Sequence, residues 1–296
     1  MASFSRQWPL YVLMILPMVY FLTFRYLPMG GVVVAFKDYN MFKGIWASEW
    51  VGFDVFREIF SMPEFYRAVR NTLMLNVFSL LTFPVPIILA LLLNELRIQW
   101  YKRLNQTLLY LPHFISWVIV GGLAIRLLAT NTGSVNQFLK SLGLSPIPFL
   151  ENELMWILTY TGAGVWHYAG WGSILYLAAL TGINHELYEA AEVDGANRWQ
   201  QTLHVTIPAL YPITVVLATL SLGQILNAGF DQIFNLYNPL VYDKGDIIDT
   251  FVYRVGIISG QMGFGTAVGL FKSAIGFTLI VIAYRLAYKL ANYRIF

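Results

Sequence analysis

The sequence predicts an all-α membrane protein with six transmembrane helices. Three observations lead there. Only 12% of its 296 residues are charged and 57% are hydrophobic, whereas a soluble domain carries about a quarter charged residues. Six stretches are apolar over the roughly 20 residues that a bilayer crossing needs. Aromatic residues make up 16% of the chain, and many sit near the ends of those stretches, where amphipathic rings favour the headgroup layer.

The first stretch, residues 8–34, follows Arg6 and contains Arg25 and Pro28. Its outer third is expected to kink or lie at the interface. With no small-residue cleavage site, it reads as a retained anchor. The second, 72–93, holds Pro84 and Pro86; the third, 107–128, holds Pro112; the fourth, 154–180, holds Gly162 and Gly164. Spanning helices tolerate such residues where neighbours satisfy the freed backbone groups. Residues 209–234 and 267–290 complete the set.

The connections differ in character. Residues 37–71 carry five basic and five acidic side chains and end in "PEFYRAVRNT", which reads as an amphipathic surface helix ahead of the second span. Residues 94–106 are basic, with Arg97, Lys102 and Arg103 against Glu95, and the tail holds Arg285, Lys289 and Arg294 with no acid. With six spans these two basic segments share one side, so the positive-inside rule places both termini in the cytoplasm. Residues 129–153 and 235–263 are polar loops.

Several chemistries are missing. There is no cysteine, hence no disulfide or thiolate metal site. The net charge of +3 is too small to argue for nucleic acid. No phosphate-binding G-x-x-x-x-G-K-[ST] loop, no H-E-x-x-H pair and no G-x-S-x-G nucleophile turn occurs. No catalytic residue, metal site or cofactor site is expected in the chain, so any driving energy must come from a partner.

Residues 185–208 pose the sharpest question. Between two apolar stretches they gather Glu186, Glu189, Glu192 and Asp194 around Ala190, Ala191, Gly195 and Ala196. A helix over 187–199 is expected, with Pro208 ending the following segment and forcing a turn. Small residues leave a bare face that another backbone can approach, and the acids supply caps. An ordinary amphipathic loop helix is the plainer reading.

The motif "EAAEVDGA" followed by "IPAL" resembles the EAA loop of binding-protein-dependent ABC importer permeases, matching at Glu189, Ala190, Ala191, Asp194, Gly195 and Pro208. The stretches "LPMGGVVVAFKDYN", "PEFYRAVRNTL", "LYLPHFISWVI" and "ILNAGFDQIFNLYNPLVY" extend the resemblance over essentially the whole chain. They are similar to the maltose-permease superfamily, in its branch for oligosaccharides and polysaccharide fragments, alginate-type uptake included. The large extra periplasmic domain of the maltose permease itself is absent. The resemblance implies a type I ABC importer permease fold whose EAA loop is a cytoplasmic coupling helix. It implies a bacterial inner membrane location, a second permease subunit, usually a different chain, two ATP-binding cassette subunits that bind ATP and Mg, and an extracytoplasmic solute-binding protein.

A solute path needs polar groups on one face of a span. In the fifth stretch Gln224, Asn227, Asp231 and Asn235, with Asn238 beyond, fall within an arc of roughly 80° on a continuous helix. In the fourth, Tyr160, Gly164, His167, Tyr168 and Trp171 share a stripe. Sugars stack their apolar faces on rings and bond amides through hydroxyls, so these two stripes suit a sugar. Packing and interhelical hydrogen bonds are the plainer account. Lys272 lies inside the sixth stretch, with Asp231 as its expected partner, and Arg126 near the end of the third. Two G-x-x-x-G spacings, Gly256–Gly260 and Gly265–Gly269, offer close helix contacts. Two rival classes remain: an ion-driven secondary transporter, which would show internal repeats, and a polytopic membrane enzyme, which would need clustered acids or histidines.

Overall fold

The computed structural model describes residues 2–291, with side chains at 8 and 10–285. The side chains of Arg6 and Lys289, and Arg294 altogether, lie outside the described residues. The chain is helical almost throughout. Helix α1 (Ala2–Phe21) runs into a π turn (Leu22–Tyr26) and a 3-10 segment (Leu27–Phe36). Pro28 sits at the start of that segment, so the helix changes its hydrogen-bond register there and does not end. A two-residue ladder pairs β1 (Lys37–Asp38) with β2 (Glu49–Trp50), antiparallel, around the short helix α2 (Gly44–Ala47).

After α3 (Asp54–Ser61), α4 (Pro63–Leu81) and α5 (Pro84–Glu95) make one 33-residue apolar helix, Pro63–Glu95. The "PEFYRAVRNT" segment is therefore the first turns of that helix and not a separate surface element. Pro63 and Pro84 each stand in the first turn of their helix, where the missing N–H costs nothing. Helix α6 (Gln99–Tyr110) and α7 (Trp117–Leu128) are separated by a 3-10 turn at Leu111–Phe114 and bent by 100°. The third expected span is thus broken at Ile115 and Ser116, whose backbone is extended (ψ 128° and 149°), while Pro112 stands in the first turn of the 3-10 segment that carries α6 on to Phe114.

Helix α8 (Ser134–Ser141) precedes the 29-residue α9 (Glu153–Thr181), which Asn152 caps through bonds from the Leu154 and Met155 amides. Then follow α10 (Glu186–Val193), α11 (Arg198–Gln201), a π turn (Thr202–Thr206) and α12 (Ile207–Gly223). Helix α13 (Phe230–Leu236), α14 (Tyr242–Gly245) and α15 (Ile248–Val252) are short, and α16 (Met262–Ala291) closes the described chain. Among the described residues four helices are long and apolar enough to cross a membrane, or five if the bent pair is one span. Helix α9 has the length, but its Trp, Tyr, His and Gly lower its mean hydropathy.

The chain divides into two compact units: residues up to Phe65 with Phe251–Ala274, and Tyr66–Thr250 with residues from Ile275 on. In the first, Phe60, Phe65 and Phe271 meet edge to face at 5.4–5.7 Å. The glycine spacings resolve here as one internal contact. A Cβ on Gly256 would lie 3.2 Å from the Gly265 Cα, so the two motifs pack on each other. Gly256 belongs to a π turn and Gly260 to a left-handed turn with φ +76°, which removes the continuous helical face expected for that pair.

The second unit is built around α9. Its Trp156, Ile157 and Tyr160 form a buried cluster with Leu75, Ala228, Ile233, Val241 and Ile247. Lower on the same helix, Tyr176 and Leu180 pack on Ala90 and Leu210. Gly170 lets the main chain of α6 approach: a Cβ there would collide with the Leu109 carbonyl.

Candidate functional site

The fifth apolar stretch is not one helix. Helix α12 ends at Gly223, and Gln224–Gly229 is non-helical before α13 starts at Phe230. Gly229 adopts φ +75°, a left-handed conformation that costs other residues roughly 1–2 kcal/mol. The freed backbone is met by α9. The Tyr160 hydroxyl donates to the Ala228 carbonyl over 2.7 Å, and the Gln232 amide donates to the Tyr160 carbonyl over 2.7 Å. The Trp156 indole N–H donates to the Leu236 carbonyl over 2.9 Å, and its ring stacks on Tyr160 at 5.7 Å. Gly164 leaves the Gln232 amide its place, since a Cβ would stand 3.4 Å from Nε2.

This break opens a cavity of about 610 Å³ among α4, α5, α9 and α12. That volume falls in the range of about 300–1,000 Å³ typical of small-molecule sites. Its polar wall is Asn76, Ser79, Thr82, Thr161, Tyr168, Ser221, Gln224, Asn227 and Gln232; apolar and aromatic groups make up the remainder, and no charged residue or histidine lines it. It can therefore offer hydrogen bonds and ring faces, but no formal charge. Asn227 donates through Nδ2 to Gln224 Oε1 at its edge.

Of the residues expected on a solute path, Tyr160, Tyr168, Gln224 and Asn227 are brought together here. The helical arc that linked them to Asp231 and Asn235 does not exist, because the break rotates α13 relative to α12. Asp231 is exposed; its neighbour Gln232 takes the buried position. Asn235 donates to the Asp231 carbonyl over 2.7 Å, and its main chain presses on Gly121 of α7. His167 is buried behind the cavity wall, bonded to the Ile115 carbonyl at 2.9 Å and stacked on Trp117 at 4.4 Å. Trp171 stacks on His113 at 4.5 Å and lies outside the cavity lining. Lys272 belongs to the other unit and is half-buried there. Sequence reading missed Asn76, Ser79 and Thr82, whose three-residue spacing within an apolar helix was the available signal.

The acidic loop is shorter in helix than expected. Helix α10 ends at Val193 in a Schellman turn: Ala196 N–H donates to the Ala191 carbonyl (2.8 Å) and Gly195 N–H to the Glu192 carbonyl (3.0 Å). Gly195 has φ +80° and open space around its α-carbon, so its glycine serves the turn. Asn197 then opens α11 with a reciprocal capping box to Gln200. Pro208 does not end a helix. It stands in the first turn of α12, and the helix Arg198–Gly223 runs through it. The π turn before it, with Ile207 N–H bonded to the Thr202 carbonyl, makes room for the proline ring.

Glu189 and Ala190 are exposed on α10, as is Asp194 after it; Ala191 is half-buried. Arg198 bridges to Glu95 at the end of α5 (3.1 Å), and the Tyr188 hydroxyl meets that of Thr206 at 2.9 Å. Leu187, Val193 and Trp199 are left exposed, at 52, 88 and 69%. The loop is a folded, tethered platform with an apolar and acidic outer face.

Residues 65–292 match the family described as binding-protein-dependent transport system inner membrane component. The chain belongs to that family. The permease is 46% identical to Protein LplB of Bacillus subtilis (strain 168) over 98% of this chain and 91% of that one. It is 47% identical to the polygalacturonan/rhamnogalacturonan transport system permease protein YteP of the same organism, over 94% and 87%. In structure it is similar to a chain of a bacterial ABC transporter involved in the import of the acidic polysaccharide alginate, with TM-score 0.89, 39% identity and 98% of each chain covered. A second crystal structure, of a bacterial alginate ABC transporter in complex with an alginate pentasaccharide-bound periplasmic protein, matches with the same TM-score and identity over 99% of each chain. The chain is the permease component of an ABC importer.

Proposed function

We propose that this permease forms half of the path by which an oligosaccharide, handed over by an extracytoplasmic solute-binding protein, crosses the bacterial inner membrane. The observation that carries the reading is the neutral cavity at the α12–α13 break, with amides, hydroxyls and tyrosine rings on one wall. Those groups match sugar hydroxyls and the apolar faces of pyranose rings. The named cargoes of relatives, polygalacturonan/rhamnogalacturonan and alginate, support a polysaccharide fragment. If the cargo is acidic, its charge is met outside this cavity. Lys272 and Arg126 are two intramembrane cations to consider in this chain.

In this reading α9 is a span, the bent α6–α7 pair is another, and six spans leave both termini in the cytoplasm. A second, distinct permease completes the path. Residues 185–208, with Glu189, Ala190, Ala191, Asp194, Gly195 and Pro208, are the coupling element against two ATP-binding cassette subunits. Those subunits hold ATP and Mg and hydrolyse the nucleotide; this chain is not catalytic. The test is reconstitution of the full complex with its solute-binding protein and a panel of neutral and uronate oligosaccharides. Saccharide-dependent stimulation of ATP hydrolysis and uptake is expected. Stimulation by none of them, in a complex that binds its ATPases, would remove the oligosaccharide reading.

A further inference from the structure

The β1–β2 hairpin ends in two aromatic side chains that touch almost nothing. Phe42 is 98% and Trp46 92% exposed, with Met41 beside them at 62%. The turn that presents them is tightly built. The ammonium of Lys37, a residue only 9% exposed, donates to the carbonyls of Ile45 (2.8 Å) and Trp46 (3.4 Å) in α2 and of its C-cap Ser48 (3.1 Å). Ser48 Oγ accepts from the Asn40 amide and donates to the Gly44 carbonyl, and Asn40 Oδ1 accepts from the Phe42 amide. A buried cation thus orders a ten-residue turn whose outer side is apolar.

We propose that this tip is an interfacial anchor, seated in the headgroup–acyl boundary of the leaflet that the Phe36 end of the first apolar helix reaches. The hairpin starts at Lys37, directly after the helix Leu10–Phe36, whose apolar window is wholly unburied within the chain. The tip therefore follows that unburied apolar surface after a short buried junction at Val34, Ala35 and Lys37. Lys37, the first residue after that helix, bonds the Ile45 and Trp46 carbonyls directly, which keeps the tip close to the helix end. Trp rings favour the headgroup–acyl boundary, and the exposed Lys43 between Phe42 and Trp46 can reach lipid phosphate. Order imposed by Lys37 lowers the entropy lost on insertion.

The chain has no cysteine, so Phe42→Cys and Trp46→Cys can each carry one environment-sensitive fluorophore in the assembled transporter, with cysteine-free partners, in lipid nanodiscs. Neither side chain contributes to the hairpin's bonds, so both variants keep its fold. The expected result is blue-shifted emission, loss of intensity with headgroup-spin-labelled phospholipid, and no change on adding loaded solute-binding protein. Cross-linking of the unsubstituted chain by photoactivatable phospholipid should map to residues 39–48. Water-like emission, a blue shift that awaits the binding protein, or a blue shift without lipid quenching would each overturn the proposal. The second outcome would make the tip a receptor contact, and the third a contact with the second permease.

Discussion

Gln232 and Tyr160 hold each other in place across a broken helix: the Gln232 amide donates to the Tyr160 carbonyl over 2.7 Å, while the Tyr160 hydroxyl secures Ala228 just upstream. The pair fixes the floor of the cavity, because Tyr160, Ala228, Gly229 and Gln232 all line it.

Gln232→Leu should therefore destabilise the permease, by about 1–3 kcal/mol for a lost buried hydrogen bond, and lower saccharide-stimulated uptake. Asp231→Asn, one residue away but exposed, should change stability by much less. Thermal unfolding in detergent, alongside uptake in proteoliposomes, checks both. Equal effects at the two positions would contradict the assigned wall of the cavity.

Asn227 and Gln224 sit at the cavity edge, exposed and bonded to each other. Asn227→Ala should raise the saccharide concentration needed for half-maximal stimulation, with assembly and thermal stability unchanged. Trp171→Ala, whose ring stacks on His113 outside the lining, should show the reverse: lower stability, with half-saturation near that of the unsubstituted protein. Measuring both quantities in both variants separates recognition from packing.

Gly195→Ala should weaken the α10 end by roughly 1–2 kcal/mol through its left-handed backbone, whereas Gly195→Asn should cost less, since asparagine visits that conformation. Glu189→Lys, in the first turn of α10, should cost roughly 0.3–1 kcal/mol against the helix dipole. All three should still insert in the membrane. Pull-down of the ATPase subunits should fall for Ala and Lys and be retained for Asn. Full association of all three variants would mean that residues 185–208 are not the coupling element.

Lys37→Met should loosen the β1–β2 turn, since it removes charge-assisted hydrogen bonds worth roughly 1.5–3 kcal/mol. Limited proteolysis of the reconstituted permease should then cut within residues 39–48 faster than in the unsubstituted chain. Unchanged cleavage would show that the turn is held without the ammonium.

What the sequence determined by itself was class and family. Low charge and apolar length need no tertiary information, since the bilayer acts on each segment separately. The order Glu189–Ala190–Ala191 to Gly195, and then Pro208, was likewise legible, because motif spacing is a property of the chain. Tertiary structure decided where helices break. The third span breaks at Ile115 and Ser116, and neither Pro112 nor Pro208 breaks its helix, although proline removes an N–H at both. A 3-10 turn carries the chain past the first, and a π turn relieves the second. It decided that Gln232 and not Asp231 faces inward, since the Gln224–Gly229 break discards the 100° periodicity on which the stripe was drawn. The cavity wall from Asn76, Ser79 and Thr82 was hidden for the same reason: side chains some 80 to 150 residues apart in sequence converge only after α4 and α12 pack on α9. Gly195, too, reads alike as a contact glycine or a turn glycine until its φ is known.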